Sequence, residues 1–127
     1  DSMFNTPPVF PVYACKLSME WLRSIGGIKE IEKRNRLKAK KLYDEIDNNE
    51  LFEGFAAVED RSIMNVTFNL KDQSNKDIFD EIVLKKNISG INGHRSVGGY
   101  RASIYNALSL ESVETLVDAM KQFEKNI

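Results

Sequence analysis

The sequence predicts one α/β (α+β) domain in which a small, mostly antiparallel sheet is covered by helices. Apolar residues recur at intervals of three and four at both ends of the chain, and apolar and polar residues alternate between them. A glycine pair, Gly98-Gly99, sits in a loop short enough to join antiparallel neighbours. The 127 residues, 42% of them hydrophobic, suffice for one packed core and are too few for two ordinary domains.

The opening segment, Asp1-Ser2-Met3-Phe4-Asn5-Thr6-Pro7-Pro8, has no periodicity. Its prolines lack N–H donors and push Thr6 into extended backbone, so residues 1–8 are expected to form a stiff arm. The chain starts at Asp1 rather than methionine, which gives it the look of a cut chain. The arm is either a linker stub or a carrier of Asn5 and Thr6, and spacing leaves both open.

Tyr13, Leu17, Trp21, Leu22 and Ile25 predict a helix from about Phe10 to Ile25, stopped by Gly26-Gly27. Ile28, Ile31, Asn35, Ala39, Leu42 and Ile46 predict a second, long amphipathic helix ending at Asp47-Asn48-Asn49. Its cations, Lys38 among them, are read as the solvated side. From Arg61 the period falls to two: Met64, Val66 and Phe68 alternate with Asn65, Thr67 and Asn69, a half-buried strand. Ser74 is expected to cap a short helix bearing Ile78, Phe79, Ile82 and Val83, and Ile88 to Ile91 reads as a brief strand. A third strand follows through Ala102 and Ile104. Ser109 caps a final helix whose buried stripe is Leu110, Val113, Leu116, Val117, Met120 and Phe123, with Glu111 and Glu114 at its positive end.

A net charge of −1 with interspersed signs provides no basic face, so nucleic-acid binding has little support. No apolar run approaches the roughly 20 residues of a spanning helix, and no signal-like leader opens the chain. The single cysteine, Cys15, excludes an internal disulfide and a multi-cysteine zinc site, and no metal site is expected. A reducing, cytoplasmic setting fits, with Cys15 expected as a buried, inert thiol on the first helix.

The stretch Gly93-His94-Arg95-Ser96-Val97-Gly98-Gly99-Tyr100-Arg101 places three potential cations on a loop that can bend back on itself. Arg95 and Arg101 could bracket a doubly charged anion through forked hydrogen bonds, and His94, the one histidine, could join them. The same arginines could simply pair with surface carboxylates, of which the chain has 19.

The arm Ser2 to Pro8, the segment Arg61-Ser62-Ile63-Met64-Asn65-Val66, and Gly93 through Asn106 closely resemble the phosphoserine aminotransferases, in the same order and across essentially the whole chain. The resemblance implies the C-terminal small domain, residues 9–127 after the arm, of a fold-type-I enzyme. It further implies a cytoplasmic homodimer that uses pyridoxal 5'-phosphate to move an amino group from glutamate to 3-phosphohydroxypyruvate in serine synthesis. In some bacteria a related keto acid of pyridoxine synthesis is also a substrate. By the same resemblance, Arg101 holds the substrate α-carboxylate, and His94 with Arg95 serves the distal anion across the dimer. Asn5 and Thr6 bind the cofactor phosphate of the neighbouring subunit.

Val9, Thr67 and Tyr100 depart from the commoner threonine, proline and methionine of that family, and none is expected to touch the ligands. The Schiff-base lysine, the aspartate for the pyridinium nitrogen and the stacking aromatic belong to the larger domain in these enzymes. Lys38, Lys40 and Lys85 are expected on polar helix faces, where an amine stays protonated. No catalytic residue is therefore assigned here, and the isolated chain is expected neither to hold the cofactor stably nor to transaminate. The competing reading is a stand-alone anion- or metabolite-binding domain of the same fold.

Overall fold

The computed structural model describes residues 4–127. It divides within its second helix into two compact units, Asp1–Lys33 and Arg34–Ile127. In the first, residues 4–8 form no helix or strand, and the part of the arm from Asp1 to Met3 lies outside the described residues. Helix α1 (Val9–Ser24) follows, close to the predicted span, and α2 (Gly27–Asn48) starts after a two-residue turn.

Helix α1 buries no residue, and Phe10, Tyr13, Leu17 and Trp21 are exposed. Cys15 is exposed as well, which corrects the expectation of a buried thiol. An apolar stripe at helical spacing marks a face fit for burial; it does not say that these 127 residues supply the cover.

The second unit holds a three-stranded antiparallel sheet in the order β1 (Phe52–Gly54), β2 (Asn65–Leu70), β3 (Tyr100–Ser103). Helices α3 (Lys76–Lys85) and α4 (Leu110–Asn126) complete it. The period of two in β2 is realised residue by residue: Val66, Phe68 and Leu70 are buried, Asn65, Thr67 and Asn69 half-buried. Buried residues of α2, α3 and α4 join the inner face of the sheet in one core. At its centre Phe79 meets Phe52 and Tyr100 edge-on, with ring centroids 5.2 and 5.1 Å away. Tyr100 stacks on Phe68 at 5.2 Å and gives its hydroxyl proton to Asp80 Oδ1 at 2.7 Å.

Four local expectations are corrected. Ile88 to Ile91 is not a strand: the Ile88 N–H turns back to the Val83 carbonyl (3.0 Å) to close α3, and one bridge, Asn92 to Tyr100, is all that pairs. Strand β1 has too few residues to show an alternation, so periodicity passes it over. Ser74 lies inside a 3₁₀ turn, Gln73–Asn75, where the Asp72 carboxylate accepts from its N–H at 2.9 Å; α3 starts at Lys76. Ser109 does cap α4, accepting from the Ser112 N–H at 3.2 Å.

The fourth correction is Lys38, which is 2% exposed rather than solvated. Its Nζ donates to the carbonyls of Ile104 (3.0 Å), Tyr105 (2.7 Å) and Leu108 (3.0 Å), and burial pushes its pKa below the usual lysine value. Beside it Asn35 Nδ2 donates to Asn106 Oδ1 at 2.7 Å. Residues 35, 38 and 42 share a helix face, and the chain between β3 and α4 offers this face carbonyls that no ladder uses.

Candidate functional site

Strand β3 alternates into and out of the core: Tyr100 and Ala102 are buried, while Arg101 is exposed on the opposite face of the sheet. That face also carries Thr67, directly across from Arg101 in the register, Asn65 across from Ser103, and Asn69 across from Glu53. Ser103 Oγ donates to Asn65 Oδ1 at 3.2 Å. One cation therefore stands among short polar side chains with the aromatic core behind it.

The loop entering β3 folds tightly over this face. The Gly93 N–H bonds the Gly99 carbonyl at 2.8 Å, and the Val97 and Gly98 N–H groups both reach the His94 carbonyl, at 2.9 and 2.8 Å. Two glycines make the closure possible. A Cβ on Gly93 would run into the Gly98 carbonyl. Gly99 has φ 65°, and a Cβ there would strike the Asn69 side chain.

His94 Nδ1 lies 2.7 Å from Ser96 Oγ and accepts from the Ser96 N–H at 3.3 Å. A backbone N–H can only donate, so Nδ1 is an acceptor and the neutral ring carries its proton on Nε2. The loop thus leaves Nε2–H as the outward donor.

His94 and Arg101 line a single cavity of about 210 Å³ together with Thr67, Asn69, Phe55 and Val97. Arg95 lies in the exposed turn and is not among its lining residues. Asn5 and Thr6 are exposed and belong to the first unit. A larger cavity, about 360 Å³, is bounded by residues 86–91 and the start of α4, but Lys86 is its sole cation. The smaller one sets the Arg101 guanidinium beside the His94 ring, two donors of the kind an anion takes.

Among the described residues neither Arg95 nor Arg101 makes a side-chain hydrogen bond or ion pair, although Lys16, Lys40, Lys41, Arg61, Lys76, Lys85 and Lys121 all pair with carboxylates. Among the described residues, then, no surface carboxylate pairs with either loop arginine. No cluster of His, Cys, Asp or Glu able to hold a metal occurs among the described residues, and no described helix is long and apolar enough to cross a membrane.

The sequence reading took Thr67 and Asn69 only as the polar half of a strand; the register makes Thr67 the cross-strand neighbour of Arg101. The polar half of the β2 alternation was the available signal. Using it requires knowing which strand pairs with β2 and in what register.

The family model for aminotransferase class-V matches residues 1–116. The phosphoserine aminotransferase of Flavobacterium psychrophilum is 57% identical over 127 residues, which are 100% of this chain and 36% of that protein. A phosphoserine aminotransferase structure describing radiation damage of its Schiff base superposes with a TM-score of 0.92 at 43% identity, over 100% of this chain and 36% of that one. A pyridoxal-phosphate-bound phosphoserine aminotransferase from Trichomonas vaginalis gives a TM-score of 0.83 at 38% identity, covering 94% of this chain and 34% of its own. The chain thus spans about 36% of the length of the relatives it matches.

Proposed function

Because the chain belongs to the class-V aminotransferase family, we propose that residues 9–127 are the C-terminal small domain of a fold-type-I phosphoserine aminotransferase and residues 1–8 its extended arm. The full-length protein moves an amino group from glutamate to 3-phosphohydroxypyruvate, giving O-phosphoserine and 2-oxoglutarate in serine synthesis. In this reading it is a cytoplasmic homodimer, and a related phosphorylated keto acid of pyridoxine synthesis is a second candidate substrate. The observation that carries the proposal is Arg101, held outward on β3, without a carboxylate partner among the described residues, beside a cavity it shares with His94.

Both substrates carry an α-carboxylate and a second anion, and two anions call for two cationic anchors. Arg101 takes the α-carboxylate through its planar fork. His94, through Nε2–H, and Arg95, at the exposed turn, take the distal phosphate or γ-carboxylate across the dimer. The position of Arg95 outside the cavity suits a residue that serves a neighbouring subunit.

Pyridoxal phosphate, when bound, supplies the amino-group carrier and electron sink. Asn5 and Thr6, short and exposed, fit its phosphate as donors. Lys38 does not fit its aldehyde, since its amine is committed to three carbonyls, and Lys40 and Lys85 are paired with Asp44 and Glu81.

The test is steady-state kinetics of the full-length protein. Arg101→Lys lowers kcat/KM for glutamate and for 3-phosphohydroxypyruvate alike, by roughly 10- to 100-fold, because it replaces a bidentate contact with a point charge. Arg95→Ala weakens the phosphorylated substrate more than glutamate. The isolated chain, mixed with pyridoxal phosphate, serves as the control and develops no glutamate turnover. An unchanged kcat/KM for glutamate in Arg101→Lys would remove the assigned role.

A further inference from the structure

We infer that Thr67 is a second donor to the carboxylate held by Arg101, and so a further substrate-binding residue of this site. The inference rests on the reading of Arg101 given above. It starts from the backbone. The Ile104 N–H bonds the Met64 carbonyl at 2.9 Å, the Phe55 N–H bonds the Thr67 carbonyl at 3.1 Å, and the Arg101 N–H points away from β2 to the Ile91 carbonyl at 2.6 Å. In an antiparallel ladder hydrogen-bonded and non-hydrogen-bonded pairs alternate, so the β2–β3 bonds fall at 64/104, 66/102 and 68/100. Thr67 and Arg101 are then a non-hydrogen-bonded pair, the kind in which facing Cα atoms approach to about 4.5 Å and side chains lie closest.

The pair also shares the cavity of about 210 Å³, and neither the Thr67 hydroxyl nor the Arg101 guanidinium has a hydrogen-bond partner among the described residues. An ionised carboxylate offers about four lone-pair positions. A forked guanidinium takes two, and the hydroxyl next to it is placed for a third. Branching at Cβ limits the rotamers of Thr67, so little freedom is lost when it donates. Phe55 and Val97 add apolar surface to the lining of the same cavity.

The experiment is the kinetics of Thr67→Val and Thr67→Ser in the full-length protein, with thermal unfolding as the check on folding. Valine keeps the shape and the strand preference but has no hydroxyl. It raises KM for glutamate and for 3-phosphohydroxypyruvate about 10- to 100-fold, in line with the loss of one hydrogen bond to a charged group, and leaves kcat within about 2-fold. Serine restores KM to within about 2-fold of the unaltered protein. An unchanged KM in Thr67→Val, or a serine variant as impaired as the valine variant, overturns the inference. If Arg101→Lys is impaired while Thr67→Val is not, this inference alone falls. If Arg101→Lys is also silent, the reading of the whole site falls with it.

Discussion

Replacing Lys38 with methionine removes an ammonium group and keeps most of the side-chain volume. Three hydrogen bonds of 2.7 to 3.0 Å go with it, to the carbonyls of Ile104, Tyr105 and Leu108. Each bond to a charged donor contributes roughly 1.5–3 kcal/mol net, but losing the ammonium also returns a desolvation cost of several kcal/mol. The Tyr105 and Leu108 carbonyls are partly accessible and can recover water, whereas the Ile104 bond is buried, and its carbonyl is left unsatisfied at about 1–3 kcal/mol. The net expectation is a loss of about 2–3 kcal/mol, a large share of the 5–15 kcal/mol typical of a folded domain. Urea unfolding followed by circular dichroism reads this as a midpoint lowered by about 1–2 M. Lys40→Met is the comparison, since the Lys40–Asp44 pair is exposed, and it shifts stability by less than about 0.5 kcal/mol. If Lys38→Met matched Lys40→Met, or proved more stable than the parent, the three carbonyls would not depend on the ammonium and its burial would be a net burden.

Arg61 bonds Asp47 through two parallel contacts of 2.6 and 2.7 Å, and the hydrogen bond from Arg61 holds the Asp47 carboxyl below the usual carboxylate range. A depressed carboxylate stabilises the fold above its unfolded pKa and loses that contribution as pH falls through the folded value. Asp47→Asn is therefore less stable than the parent at neutral pH, and the gap closes below about pH 4 in denaturation series. Equal gaps at pH 7 and pH 2.5 would contradict this. Gly99→Ala places a Cβ at φ 65°, against the Asn69 side chain and 3.0 Å from the Phe68 carbonyl, and costs roughly 1–3 kcal/mol in thermal unfolding. Adding Asn69→Ala recovers only part of the loss, because the backbone strain and the Phe68 contact persist; full recovery would show the strain to be negligible.

What the sequence reveals depends on how many residues repeat a period. Helix α4 and strand β2 repeat theirs often enough that both the element and its buried side could be named from Val113 to Phe123 and at Val66 and Phe68. Three-residue β1 cannot repeat anything. Lys38 was misplaced because residue type was allowed to overrule position: residues 35, 38 and 42 share a face, and the carbonyls that receive the ammonium lie more than sixty residues away. Cys15 was misplaced for the opposite reason, since an apolar face implies a cover without locating one. Charge next to glycine singled out Arg101, Arg95 and His94 as candidates, and the fold brings Arg101 and His94, but not Arg95, around one cavity. The places of Thr67 and Asn69 beside them were not legible, because they arise from strand pairing and loop closure, which no local pattern encodes.

Arg101 sits between Tyr100 and Ala102, which are 2% and 4% exposed. A slip of β3 by one residue would drive the guanidinium among the phenylalanines and eject the tyrosine, which the core could not tolerate. Misaligned molecules with the cation pointing the wrong way are thus removed at the folding step, and every molecule that reaches the folded state presents it correctly. The outward positions 65, 67, 69 and 103 have no such veto on them. They can be exchanged without disturbing the core, while the inward positions keep the aim of the arginine unchanged.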